Sequence, residues 1–267
     1  MRNLKRTLSL ALASVMLVGM MSVGASAVNA SDFTDADEIV NKDAVSTMTA
    51  LGIINGKEDG SYFDPTGNVT RAEMAKMLCV AINGGVDPVL GVKDTPTFTD
   101  IKGTWAESYI EYCAANGIIA GRGNNKFDPT GTVSATEAAK MLLGVLGYSA
   151  EKSGLVGNDW AINTNVLANQ NGLYKKLANL NANTMLTRDN AAQMIYNALD
   201  ANMVELNAAG NYTTSQYSYT GTESVVTGTE RVWVVKIKDS SVNDAIKALD
   251  GSVYNSRQDA IDTLKEA

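Results

Sequence analysis

Histidine is absent from all 267 residues. That removes imidazole acid–base chemistry, Ser-His-Asp and Cys-His nucleophiles, and His-ligated zinc. An enzyme on this chain would have to run mainly on carboxylates. Cysteine is nearly absent too, with only Cys79 and Cys113. Two thiols without imidazole make a poor metal set, and no cofactor is expected. Each cysteine sits on an apolar helical stretch, so both are expected to be buried and unbridged. Long apolar runs are missing after the N-terminus: none reaches the roughly 18 residues of a membrane span. Basic charge is in deficit, with 22 Lys and Arg against 29 Asp and Glu.

The N-terminus has the three parts of a secretory signal. Arg2, Lys5 and Arg6 precede an apolar run from Leu8 to Met21, and Ala25-Ser26-Ala27 supplies small residues for cleavage. Residues 1–27 are therefore expected to be removed, leaving an exported chain with no membrane insertion. Removal takes three cations and no anions, so the mature net charge is about −10. That charge argues against nucleic acid or an anionic membrane as partner.

The strongest positive signal is an internal repeat. Residues 63–78 read FDPTGNVTRAEMAKML and residues 127–142 read FDPTGTVSATEAAKML. Upstream, Phe33-Thr34-Asp35 matches Phe98-Thr99-Asp100, and Gly52-Ile53-Ile54 matches Gly117-Ile118-Ile119. One unit reads as helix, Gly-rich loop with Phe-Asp-Pro, helix. The second helices carry apolar stripes at i, i+3, i+4, i+7: Met74, Met77, Leu78, Ala81 and Ala138, Met141, Leu142, Val145. A degenerate third copy follows, with Thr187-Arg188 before Ala191, Met194, Ile195 and Ala198, but without the Phe-Asp-Pro loop. No helix pair alone buries its stripe, whereas three can. The expected fold is mainly α: three helix-loop-helix repeats (31–90, 96–150, 155–206) in a pseudo-threefold bundle. Residues 207–230 read as a linker, the Thr/Ser/Tyr/Gly-rich stretch 211–228 being either that or an irregular extended segment. Residues 231–267 read as a small α/β-like tail, with a strand over Arg231–Lys238 and helices over Ser241–Leu249 and Ser256–Lys265.

Few residues stand out chemically. Thr70 and Glu73 form a capping box, repeated by Ser134 and Glu137, and Thr104 with Glu107 is placed to cap the first helix of repeat two. Capping does not explain Arg71 or Arg188. A cation in a first helical turn opposes the macrodipole. The guanidinium either joins the helix-terminal amides as an anion site or pairs with acids of a neighbouring repeat. Trp105 and Trp160 recur at the starts of first helices, where an indole can stack on a sugar or plug the core; repeat one has Val40 there. Gly121-Arg122-Gly123 lacks the strand and Gly-Lys-Ser/Thr of a phosphate loop and reads as a turn. Asp32, Asp35, Asp37 and Glu38 lack calcium-loop spacing and read as a solvated helix start. No carboxylates stand out as an acid–base couple.

The pattern F-x-D, (W)-A, G-I-I-x-G, F-x-P, T-R-A-E, M-L resembles the surface-layer homology (SLH) repeat. The resemblance implies a pseudo-threefold domain with grooves that bind secondary cell-wall polysaccharide, often pyruvylated, or modified peptidoglycan. Carried over, it implicates Thr70, Arg71, Ala72 and Glu73 fully, and Thr187 with Arg188 in part; Ala135 stands where repeat two would have its Arg, so that groove is in doubt. It implies a non-enzymatic anchor of the cell wall or surface, with glycan-binding Arg71, Arg188, Thr70, Glu73, Trp105 and Trp160. The alternatives are a structural surface-layer subunit, which would self-associate, and the anchoring part of a wall-associated hydrolase.

Overall fold

The computed structural model describes residues 28–236 except 178–179, 182, 208, 215–216, 219–220 and 228–229, together with 252–254, 259 and 263. The signal segment and the helix expected over 241–249 lie outside these residues, as does most of the helix expected over 256–265.

The fold is mainly α-helical. Among the described residues six α-helices follow in order: α1 (Lys42–Ala50), α2 (Arg71–Ile82), α3 (Glu107–Ala115), α4 (Ala135–Val145), α5 (Trp160–Gln170) and α6 (Arg188–Leu199). The second helix of each repeat starts as its sequence dictates. Thr70, Ser134 and Thr187 cap α2, α4 and α6 through the amides of Glu73, Glu137 and Asn190. The stripe residues Met74, Leu78, Ala138, Leu142, Ala191 and Met194 are all in the core.

Helix packing shows how the stripes are covered. The well-packed pairs form between repeats: α2 with α3, α4 with α5, and α6 with α1. Each repeat thus lays its second helix against the first helix of the next, and repeat three returns to repeat one. The segments entering these second helices close a cycle of backbone hydrogen bonds. Val69 N donates to Leu186 O, Leu186 N to Val133 O, and Val133 N to Val69 O, at 2.8–2.9 Å. Buried amides need such partners, and here three separate repeats supply them to one another. Asn41 adds a side-chain tie from repeat one to repeat three, donating from N (3.0 Å) and Nδ2 (2.6 Å) to Asp189.

Two local expectations need correction. Thr104 does not cap α3: the helix begins at Glu107, Thr104 Oγ1 donates to Ile101 O, and the Glu107 carboxylate accepts from Gly103 N. Residues 207–230 are not simply a linker. They contain β2 (Tyr212–Thr214), β3 (Tyr217–Ser218) and β4 (Gly221–Thr227). β2 pairs with β1 (Val204–Leu206), and Val204 N donates to Leu146 O, which ties this hairpin to the end of α4. β4 pairs antiparallel with β5 (Glu230–Lys236), and β6 (Val253–Tyr254) completes the order β3-β4-β5-β6. Thr and Val suit a pleated surface, and their density over 222–227 outweighs the Gly and Ser that suggested a linker.

Candidate functional site

The Phe-Asp-Pro loops are held from two sides. In repeat two, Asp100 accepts from the amides of Phe127 and Asp128, both at 2.8 Å. Asp35 does the same for Phe63 and Asp64 at 3.0 and 2.7 Å, so it is a loop anchor and not a solvated helix start. Phe33 and Phe98 pack against Phe63 and Phe127, with ring centroids 5.3 and 5.5 Å apart. Gly131 leaves room in this loop for the Asp128 carboxylate, which a Cβ there would displace.

The other side is the arginine of the preceding repeat. Arg71 is 3% exposed. Its Nε donates to Phe127 O (2.8 Å) and its Nη2 to Ala120 O (2.7 Å), with the guanidinium 4.3 Å from the Phe127 ring centroid. Arg188 reaches repeat one in the same way, donating to Phe63 O (2.8 Å) and Asn55 O (2.9 Å). Burial lowers both pKa values, that of Arg71 to about 10. Neither arginine matches either sequence alternative in full: backbone carbonyls and a phenylalanine face take most of each guanidinium. The geometry also explains Ala135. An arginine there would point toward repeat three, and repeat three has no Phe-Asp-Pro loop to receive it. The missing arginine and the missing loop are one change seen from two sides.

Arg71 at the same time lines an open cleft of about 350 Å³ between repeats two and three, with Arg122, Glu137, Lys140 and Trp160. Glu137 is the shared anion. It accepts from Arg122 Nε (2.9 Å) and Nη2 (2.8 Å), from Ser134 N (2.9 Å), and lies 3.4 Å from Arg71 Nη1. Burial raises its pKa, but the Ser134 amide and Arg122 outweigh that and hold it below its ordinary value. Lys140 stands 5.1 Å from the Trp160 ring centroid and makes no salt bridge among the described residues. Burial, then Arg71, lowers its pKa. The cleft therefore offers an indole face, a lysine cation that feels Glu137 but makes no salt bridge among the described residues, and Ile118 and Val156 as apolar walls. It suits a ring with an attached anion. The arginine that lines the repeat-two groove comes from repeat one, Arg71, and not from position 135.

The same plan recurs at the junction of repeats one and two. Lys76 stands 5.5 Å from the Tyr109 ring centroid, and Tyr109 meets Trp105 edge-on at 6.3 Å. Trp105 is 60% exposed. At the junction of repeats three and one the positions read Ala135, Asn190, Gln193 and Val40, with no cation and no tryptophan.

Of the residues singled out from sequence, Arg71 and Trp160 share the cleft, Trp105 belongs to the second junction, and Arg188 is its buried loop support. Thr70 and Glu73 are occupied in the α2 cap, where Glu73 accepts from Thr70 N at 2.8 Å. Lys140 and Arg122 were missed. Lys140 repeats Lys76 within A-K-M-L, a signal hidden inside the helical stripe. Arg122 sits in a loop that read as a turn.

The S-layer homology domain model matches residues 32–75 and 97–139. The chain thus carries S-layer homology repeats. A protein named "S-layer protein" from Bacillus licheniformis is 30% identical over 113 residues, covering 42% of this chain and 12% of that one. A "Cell surface protein" from Thermoanaerobacter kivui is 28% identical over 207 residues, 77% of this chain and 26% of the relative. "Exoglucanase XynX" from Acetivibrio thermocellus is 28% identical over 156 residues, 55% and 14%. The chain matches only a minor part of each of these longer relatives.

Proposed function

We propose that this chain is a non-enzymatic anchoring module of an exported cell-surface protein. It holds the protein to the wall by binding an acidic polysaccharide in the repeat two–three cleft. One observation carries this reading: Lys140 lies over Trp160 with no salt bridge among the described residues, beside the buried Arg71. A sugar ring would stack on the indole while its carboxylate meets Lys140. A pyruvate ketal, the group that the S-layer homology resemblance suggests, supplies such a carboxylate on a sugar ring. Glu137, the acid in this cleft, is engaged by two arginines and a cap, which suits a binding role better than proton transfer.

The test is pull-down with purified walls, before and after chemical removal of the non-peptidoglycan polymer. Lys140→Ala and Trp160→Ala should each weaken binding by about tenfold or more with little change in melting. Retention after polymer removal would redirect the reading to modified peptidoglycan. Binding unchanged in both variants would end it. A structural surface-layer subunit is the second reading, favoured by the antiparallel strands over 221–236; reversible sheet formation by the purified protein would support it.

A further inference from the structure

The junctions at Lys76 and Lys140 share one plan and differ in their counter-ions. The two lysines hold the same place in α2 and α4, six residues after the capping Thr70 and Ser134. Lys140 makes no salt bridge among the described residues. Lys76 Nζ lies 2.9 Å from Asp87 Oδ2, and Tyr109 OH donates to Asp87 Oδ1 at 2.6 Å. The lysine's cation and the tyrosine's hydroxyl are thus both turned to a carboxylate from the same chain.

Asp87 is delivered by a constrained turn. Asn83 Nδ2 donates to Val86 O at 2.9 Å. Gly84 and Gly85 have φ of 88° and 79°, which favour glycine. A Cβ on Gly85 would stand 1.8 Å from Leu51 O, so the turn is packed against the end of α1. The backbone, and not only two free side chains, brings Asp87 toward Lys76. The hydrogen bond to Asp87 raises the Lys76 pKa, the opposite direction to Lys140.

We propose that Asp87 is an internal counter-ion that fills, at the repeat one–two junction, the place a ligand carboxylate takes beside Lys140. The inference rests on the cleft reading given above. An acidic sugar arriving at Lys76 must displace Asp87 or suffer its repulsion. Trp105 and Tyr109 stay available to an uncharged ring. The chain then has one acidic-sugar site and one aromatic platform for neutral sugar, and Asp87 sets the difference.

The indole N–H signals of Trp105 and Trp160 report the two junctions separately in ¹⁵N–¹H spectra. The probe is a methyl glycoside carrying a pyruvate ketal, with its methyl ester as the uncharged control. In the wild type the acid should shift Trp160 and leave Trp105 nearly still. In Asp87→Asn, Trp105 should also titrate, with affinity raised about two- to fivefold by loss of the competing ion pair. Adding Lys76→Ala to Asp87→Asn should silence Trp105 again. The ester should not distinguish wild type from Asp87→Asn. If Trp105 responds equally in wild type and Asp87→Asn, or in neither, the counter-ion role is overturned. If Trp160 never responds but Trp105 gains its response in Asp87→Asn, the cleft reading fails and the Asp87 role stands. Asp87 is half exposed in a loop, and a melting curve within about 2 °C of wild type confirms that the variant is folded.

Discussion

Arg71→Ala separates a ligand-contact residue from a support of the fold. The sequence alone suggests that loss of this arginine would hurt binding and spare folding, with relief of the dipole conflict in α2 worth tenths of a kcal/mol. The structure reverses the expectation. Truncation strands the buried Phe127 carbonyl, which accepts from a guanidinium that is 3% exposed, whereas the Ala120 carbonyl belongs to an exposed residue and can turn to water. Each unsatisfied buried acceptor costs about 1–3 kcal/mol. Loss of the contact with the Phe127 face adds about 0.5–2 kcal/mol. Water entering the new space recovers part, so the net loss should be about 1.5–4 kcal/mol. For a domain of this size that lowers the melting temperature by about 3–16 °C. Differential scanning calorimetry reads it directly. Arg71→Lys should recover only part, because an ammonium cannot reproduce the fork that reaches two carbonyls. Wall binding should fall as well, since Arg71 also lines the cleft. An Arg71→Ala protein that melts within 2 °C of wild type and binds poorly would refute the support role.

Other expectations follow from the same loop architecture. Ala135→Arg should not create a new groove. Ala135 is fully buried where repeat three offers no receiving loop, so the variant should lose about 2–4 kcal/mol by denaturant melt. Asp100→Asn should cost about 1.5–3 kcal/mol by weakening the two amide bonds that shape the second loop. Burial raises the pKa of Asp100, but the amides of Phe127 and Asp128 outweigh it, and Glu137 is lowered as well. Depressed carboxylates contribute fully above their ordinary values of 3.8 and 4.5 and lose that contribution as pH falls through the folded values. Stability should therefore drop on acidification below about pH 4.5, and Asp100→Asn should flatten the drop, both read as melting temperature against pH. Cys79 and Cys113 are buried with their sulfurs 3.4 Å apart and unbridged. Mass spectrometry of denatured, unreduced protein should find two alkylatable thiols.

The helical character, the caps and the apolar stripes were legible because they obey local rules of spacing and hydrogen bonding. Thr70, Ser134 and Thr187 each announce a helix within four residues. The partners of Arg71 and Asp35 were not legible. Their acceptors and donors lie 49 to 56 and 28 to 29 residues away, and no local rule gives the direction in which a helix leans. The same limit hid the exchange of helix partners between repeats, since sequence shows which face is apolar but not which neighbour covers it. Trp160 could be singled out by recurrence, whereas Lys140 could not, because a lysine beside an apolar stripe is the ordinary composition of a half-buried helix.

The cycle through Val69, Leu186 and Val133 also fixes an order of events. Val69 is delivered early in the chain, yet its amide waits for Leu186, 117 positions later. A polypeptide that emerges N-terminus first cannot close this cycle until all three repeats are present. The cleft has the same schedule: Arg71 comes first and Trp160 almost ninety residues later. Such distant closure is slow to form and favours a single late event over stepwise gain. Until the third repeat arrives, the cleft lined by Arg71 and Trp160 is unfinished, so the binding proposed for it would begin only when all three repeats are present.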